Sequence, residues 1–136
     1  IYGPGRSALD RLRAGAAHRI AMAEQVFSRI HVDDIADAMI ASLTTDATGA
    51  FNIADDRPDS QNAVMEEGAR LLGIAPPPML ALDNPAISPA ARAFYAENRR
   101  VANGRAKRLL GWHPRYPDYR EGLRAILAEE AKAAAR

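Results

Sequence analysis

The sequence predicts a mixed α/β layer that carries a mainly helical lobe. Three observations lead there. Strand patterns alternate with helix patterns through the first half, and helix patterns dominate after residue 83. A Gly3-Pro4-Gly5 turn also directly follows the strand-like pair Ile1-Tyr2. The 136 residues suit a single compact domain, able to bury roughly two-thirds of its unfolded surface. Much of the apolar content is alanine, so the core is thinner than the composition suggests.

Taken in order, Ile1-Tyr2 reads as the tail of a strand. The turn after it is sharp because glycine reaches positive φ and proline fixes its own. Ser7 to Ala14 reads as a helix with Leu9 and Leu12 on one side, stopped by Gly15. Val26 to Val32 is the strongest strand pattern: Val26, Ser28, Ile30 and Val32 share one face, and Phe27, Arg29 and His31 the other. Asp34 then reads as the N-cap of a helix from Ile35 to Leu43, whose apolar stripe is Ile35, Met39 and Leu43, with Ala36 and Ile40 beside it. Such a strand-to-helix crossing is the kind parallel sheets use.

Gly49 to Ala54 reads as a second short strand, followed by a polar turn through Asp59. Ser60 to Leu72 forms a helix through Val64, Met65, Ala69 and Leu72, ended by Gly73. Pro76-Pro77-Pro78 is an extended connector into Met79 to Leu82. Ser88-Pro89 opens a helix through about Glu97. A short bridge at Val101 precedes a helix capped by Asn103 and ending Leu109-Leu110-Gly111. Asp118, with Glu121 three residues on, opens a last helix that buries Leu123, Ile126 and Leu127, and the tail from Ala131 is expected to fray.

Several function classes recede on composition. The net charge is only +1, which argues against a general nucleic-acid binder. The arginines of the C-terminal third read as a solvated face, since no interleaved aromatic surface accompanies them. The chain has no cysteine, which excludes disulfides and thiolate chemistry and fits a cytoplasmic protein. No apolar run reaches the ~18 residues of a membrane span. His18, His31 and His113 lack metal-ligand spacing, so no metal site is expected.

Four stretches, "IYGPGR", "SRIHVDDIADA", "GAFNIADDRP" and "RRVANGRAKRLLGWHPRYPDYREGLRAIL", occur together in one order. In this they resemble the C-terminal half of extended short-chain dehydrogenase/reductases, the NAD(P)-dependent epimerase/dehydratase family, nearest its compact sugar-nucleotide-epimerase-like branch. The resemblance runs from Ile1 to about Leu127. It implies that residues 1–136 are one partial domain: the C-terminal part of a Rossmann-like parallel sheet plus a small helical substrate-binding lobe. It also implies that the glycine-rich dinucleotide turn and the catalytic Tyr-x-x-x-Lys pair belong to another half of the parent enzyme. Neither motif is present, and the only lysines are Lys107 and Lys132.

The expected function is therefore the substrate-binding half of an NAD(P)-dependent epimerase, dehydratase or reductase. Its substrate would be a sugar nucleotide or related carbonyl compound, and the piece would be inactive alone. The alternative is a non-catalytic partner-binding or scaffold module derived from the same fold. NAD or NADP would serve the parent, with no tight binding by this piece; a homodimer of the parent is left open. No residue here is expected to be catalytic. The turn after strand six in such enzymes lies near nicotinamide and substrate, which makes Tyr2, Gly3, Pro4 and Gly5 the expected cofactor contacts. Arg6 could meet a phosphate bidentately. Relatives place a phosphate-binding arginine four residues before the histidine of this strand. Phe27 occupies that position, leaving Arg29 as the substitute. Arg92 and Arg99 are the further substrate-side cations the resemblance implies.

Other residues have plainer readings. Tyr95 and Tyr116, each four residues before an arginine, read as boundary packing. His31 reads as a hydrogen-bonded structural histidine, and Asp33-Asp34 as cap residues rather than an acid/base pair. Trp112 reads as packing over the C-terminal lobe.

Overall fold

The computed structural model describes residues 1–136, mostly helices around one short parallel pair of strands. Helix α1 spans Ala8–Arg13, strand β1 Arg19–Ile20, α2 Val32–Ser42 and α3 Gln61–Leu72. Strand β2 spans Met79–Leu80, α4 Pro89–Tyr95, α5 Gly104–Leu110 and α6 Tyr119–Ala134. No helix is long and apolar enough to cross a membrane.

Local chemistry sets most helix ends. Ser7 and Asp10 form a reciprocal capping box at α1. Ser60 accepts the Ala63 amide at α3, Ser88 that of Ala91 at α4, and Asp118 those of Arg120 and Glu121 at α6. Gly73 closes α3 in the left-handed region at φ +67°, where a side chain would be strained. Helix α4 stops at Tyr95, short of Glu97, because the Ala96 amide turns back to Ala93. Helix α6 stays regular to Ala134, through most of the tail expected to fray.

The sheet is smaller than the sequence suggests. Arg19 pairs with Met79 and Ile20 with Leu80, in parallel. Asn62 closes the other edge of β1, accepting from the Ile20 amide at 2.8 Å and donating to its carbonyl at 2.7 Å. The expected strand Val26–Val32 is extended but forms no continuous ladder, because its neighbours change every few residues. Phe27 pairs with Asp59, Ser28 donates to Arg99, and Tyr2 bridges Ile30 and Val32. The expected strand Gly49–Ala54 is absent. Side chains take its carbonyls instead: Arg105 binds those of Thr48 and Ala50, and Asn103 that of Ala54. The bridge expected at Val101 falls at Arg99, and Asn103 precedes α5 without a side-chain capping bond because its amide is turned to Ala54 and Asp56.

Helix α2 departs furthest from expectation. Its N-cap is His31, whose Nδ1 accepts the Asp33 amide, not Asp34. Asp34 lies in the first turn and is fully buried, serving a distant loop. The buried side carries Asp34 and Ala38 with Ile35 and Ala41, against Ile30, Ala106 and Trp112. Met39, Ile40 and Leu43 of the expected stripe are 66%, 65% and 82% exposed. The buried face differs from the expected one because a stripe one residue off rotates the helix face by about 100°.

The main core joins three helices: Leu9 and Leu12 of α1, Val64, Met65 and Ala69 of α3, and Leu123 and Ile126 of α6. A second cluster gathers Ile20, Phe27, Ile87 and Tyr95. An exposed apolar helix face of the α2 kind promotes association. Sedimentation of the isolated chain is expected to show concentration-dependent self-association, and M39S/I40S/L43S to reduce it. A strictly monomeric parent chain would contradict this.

Candidate functional site

A cavity of about 600 Å³ opens between the Gly-Pro-Gly turn, α1, the extended Phe27–Arg29 segment, α3, α4 and the start of α6. That volume is ordinary for a small-molecule pocket. Of the expected site residues, Tyr2, Gly5, Arg6 and Arg29 line it.

Arg29 is held rigidly. One terminal nitrogen donates to the carbonyls of Phe27 at 3.1 Å and Asp59 at 2.8 Å, and the other reaches Gln61 Oε1 at 3.4 Å. Its guanidinium lies 5.7 Å from the Tyr119 ring centre. Burial lowers its proton affinity while Asp55 and Asp59 raise it, and a guanidinium stays charged in either case. Tyr119 completes the group by donating to Asp59 Oδ2 at 3.0 Å. Burial first, and then the Asp59 carboxylate, push its hydroxyl up to about 12, so it remains a donor at neutral pH.

Arg6 and Arg11 line the same cavity, exposed and in no ion pair. The one lining carboxylate, Asp10, is committed to Ser7. Cations therefore outnumber carboxylates on the wall, a field that favours an anionic ligand. His18 sits beside them, its pKa lowered by burial and by Arg11.

Arg92 and Arg99 lie outside this lining. Arg92 donates to the carbonyls of Asp83 and Asn84, where it fastens the entry to α4. Arg99 is paired with Glu97 while its backbone joins Val26 and Ser28. Sequence reasoning missed Gln61, Phe94 and Arg11 as wall residues, and read Tyr95 as packing only. The single available signal was Tyr95, four residues before Arg99; the structure gives Tyr95 to the cavity and Arg99 to Glu97.

The Gly-Pro-Gly turn does not form a dinucleotide cradle. The amides of Gly3 and Arg6 donate to each other's carbonyls, at 3.1 and 3.0 Å, and Pro4 has none, which leaves few N–H groups for a pyrophosphate. Gly3 is required for packing instead: a Cβ there would lie 2.6 Å from Val32 Cγ1. Tyr2 turns its hydroxyl away under α6, where it is buried without a partner and its pKa is driven up by burial and nearby carboxylates. Only a glycine at position 122 admits it, since a Cβ there would lie 1.9 Å from Tyr2 Oη. No group of three His, Cys, Asp or Glu gathers as a metal site.

The same fold occurs in solved structures. The chain superposes on UDP-glucose 4-epimerase from Thermotoga maritima with a TM-score of 0.73 at 20% identity, covering 98% of this chain and 44% of that one. The chain shares its fold with part of the extended short-chain dehydrogenase/reductases. Within that fold, MoeE5, solved with UDP-glucuronic acid and NAD, matches with a TM-score of 0.70 at 22% identity, covering 97% and 44%. A conserved protein of unknown function from Silicibacter pomeroyi matches more strongly, with a TM-score of 0.85 at 43% identity over 94% of this chain and 46% of that one. Among curated proteins, the 3-diazoavenalumate denitrifying reductase of a Streptomyces species is 34% identical, covering 90% of this chain and 43% of that protein. The chain thus spans less than half the length of the relatives it matches. No family model matches it.

Proposed function

We propose that the chain is the substrate-binding half of an NAD(P)-dependent epimerase, dehydratase or reductase acting on a sugar nucleotide or a related carbonyl compound. The observation that carries this is the cation-rich cavity, lying in a fold whose relatives include an epimerase solved with UDP-glucose. Arg6 and Arg11 offer free guanidinium groups to an anion, while Arg29, Gln61 and Tyr119 form a rigid polar floor. Hydride transfer and proton transfer would belong to the remainder of the parent enzyme, because the turn in this chain does not cradle a dinucleotide.

The test is binding rather than turnover. Amide NMR of the labelled chain titrated with UDP-glucose should show saturable shifts at Arg6, Ser28, Gln61 and Tyr119. Shifts confined to residues outside the cavity would overturn the assignment. NADH titrated by fluorescence is expected to give no saturable binding, and saturation in the micromolar range would contradict the division of labour. The exposed apolar face of α2 supports a second reading, a partner-binding module of the same fold. In that case the UDP-glucose titration would be flat.

A further inference from the structure

We propose that Arg6, Arg11 and His18 together form the anion end of the cavity, and that His18 takes up a proton from solvent when the anion binds. This rests on the reading of the cavity as a substrate pocket and adds a regulation of that same site: affinity that falls as pH rises. The stretch from the turn to β1 carries Arg6, Arg11, Arg13, His18 and Arg19, and these divide by the side they face. Arg13 and Arg19 lie outside the cavity lining, and both are paired, with Glu130 at 2.7 Å and Glu66 at 2.8 Å. The side chains of Arg6, Arg11 and His18 line the cavity and form no ion pair within the chain. Pairing that stops at the cavity wall leaves charge available where a ligand would meet it.

His18 is the member of this trio whose charge changes near neutral pH. It is half-buried, and burial first, then Arg11, holds its proton affinity down in the unliganded chain. An anion seated against Arg11 reverses the second cause, because a negative charge within ~4–6 Å favours the imidazolium. The other groups around the cavity keep their state through neutral pH. Asp10 of α1 is held by Ser7, and Glu66 of α3 is turned to Arg19. Arg29 stays charged, while Tyr2, Tyr95 and Tyr119 have raised pKa values and stay neutral. Two groups add a pH dependence of the same sign. The Ile1 amine lines the cavity and is lowered by burial, Arg6 and Arg29, and Asp55 beside Arg29 gains negative charge as pH rises. Neither depends on residue 18, so the difference between the parent chain and H18Q isolates the histidine.

The experiment is an NMR titration with UDP-glucose and with inorganic sulfate, whose charges stay fixed across the range from about pH 5 to about pH 8 in which histidine titrates. Imidazole resonances of the parent chain, assigned through bonds, read the proton directly. We expect the His18 titration to move to higher pH by about one unit when either anion is bound. From about pH 5 to about pH 8, affinity should fall about 3- to 10-fold more in the parent than in H18Q. R11Q should raise the unliganded His18 titration and yet weaken both anions by about 2- to 5-fold, an effect that shrinks as salt rises. A His18 titration that ignores the anion, or equal pH slopes in the parent and H18Q, would overturn the proposal; the sugar-nucleotide reading survives that result if UDP-glucose still shifts the cavity. If sulfate binds with the His18 response and UDP-glucose does not, the anion end stands and the sugar-nucleotide reading falls. If neither probe shifts Arg6 or Arg11, both fall.

Discussion

Replacing Asp34 by alanine should destabilise the chain by about 2–5 kcal/mol, a large share of the ~5–15 kcal/mol that holds an ordinary domain together. The carboxylate is fully buried, and it ties the first turn of α2 to a loop some eighty residues away. Its Oδ1 accepts the Arg115 amide at 2.5 Å and its Oδ2 that of Tyr116 at 3.2 Å. The carbonyl of the same residue accepts the Trp112 indole N–H at 3.1 Å. Burial raises the acid's pKa, and the two amides pull it back down. Alanine would leave both amides without their acceptor while removing no apolar contact. D34N should lose less, since it keeps one acceptor and turns an amide group toward the other N–H. Urea unfolding followed through Trp112 fluorescence checks this, because the indole sits on the affected junction. A D34A loss below about 0.5 kcal/mol would mean that the loop is held by other contacts.

The second large effect is a pH dependence with an unusual sign. Asp55 is buried beside Arg29, and its Oδ2 has no partner. Burial pushes its carboxyl up to about 7; the Arg57 amide and the Arg29 guanidinium pull it down, while Asp118 and Asp56 add to the rise. The native chain therefore holds this proton more tightly than the unfolded chain does. Between about pH 4 and about pH 7 the native state binds more protons, so stability falls as pH rises through that window and levels off above it. Asp56 and Glu67 act in the opposite sense. Asp56 is lowered by hydrogen bonds from Lys107 and Asn103 that outweigh its burial, and Glu67 by Arg70. Both lose stability on acidification, so the parent curve alone is ambiguous. D55N isolates the Asp55 contribution, because asparagine keeps the acceptor for the Arg57 amide and cannot ionise. The variant should gain on the parent from pH 4 to pH 7, ending about 2–4 kcal/mol ahead at pH 8. A difference that does not change with pH would refute the assignment.

What the sequence revealed about the fold was local, and so was most of what it hid. Ser7 with Asp10, Ser60, Ser88-Pro89, Asp118 and Gly73 act within one turn of their own helix, so adjacency in the chain was enough to read them. Asp34 looked like another cap because its distant partners leave no mark near it in sequence. The Gly49–Ala54 segment looked like a strand because its side chains suit one; the arginine and asparagine that take its carbonyls come from α5 and its approach. The site divides in the same way. Tyr2, Gly5, Arg6 and Arg29 were legible through the turn and the resemblance, and they do meet at one cavity. Gln61, Phe94 and Tyr95 arrive there only through the packing of α3 and α4, which no spacing rule encodes. Arg92 and Arg99 carried the right charge but are spent on carbonyls and on Glu97.

The seat of Tyr2 under Gly122 also has a bearing on synthesis at the ribosome. The second residue cannot settle until the last helix exists, so the earliest part of this stretch to emerge waits for nearly all the rest. At translation rates of ~5–20 residues per second that delay is roughly 6–24 s. Throughout it, the aromatic ring at position 2 would remain open to chaperones or to neighbouring nascent chains.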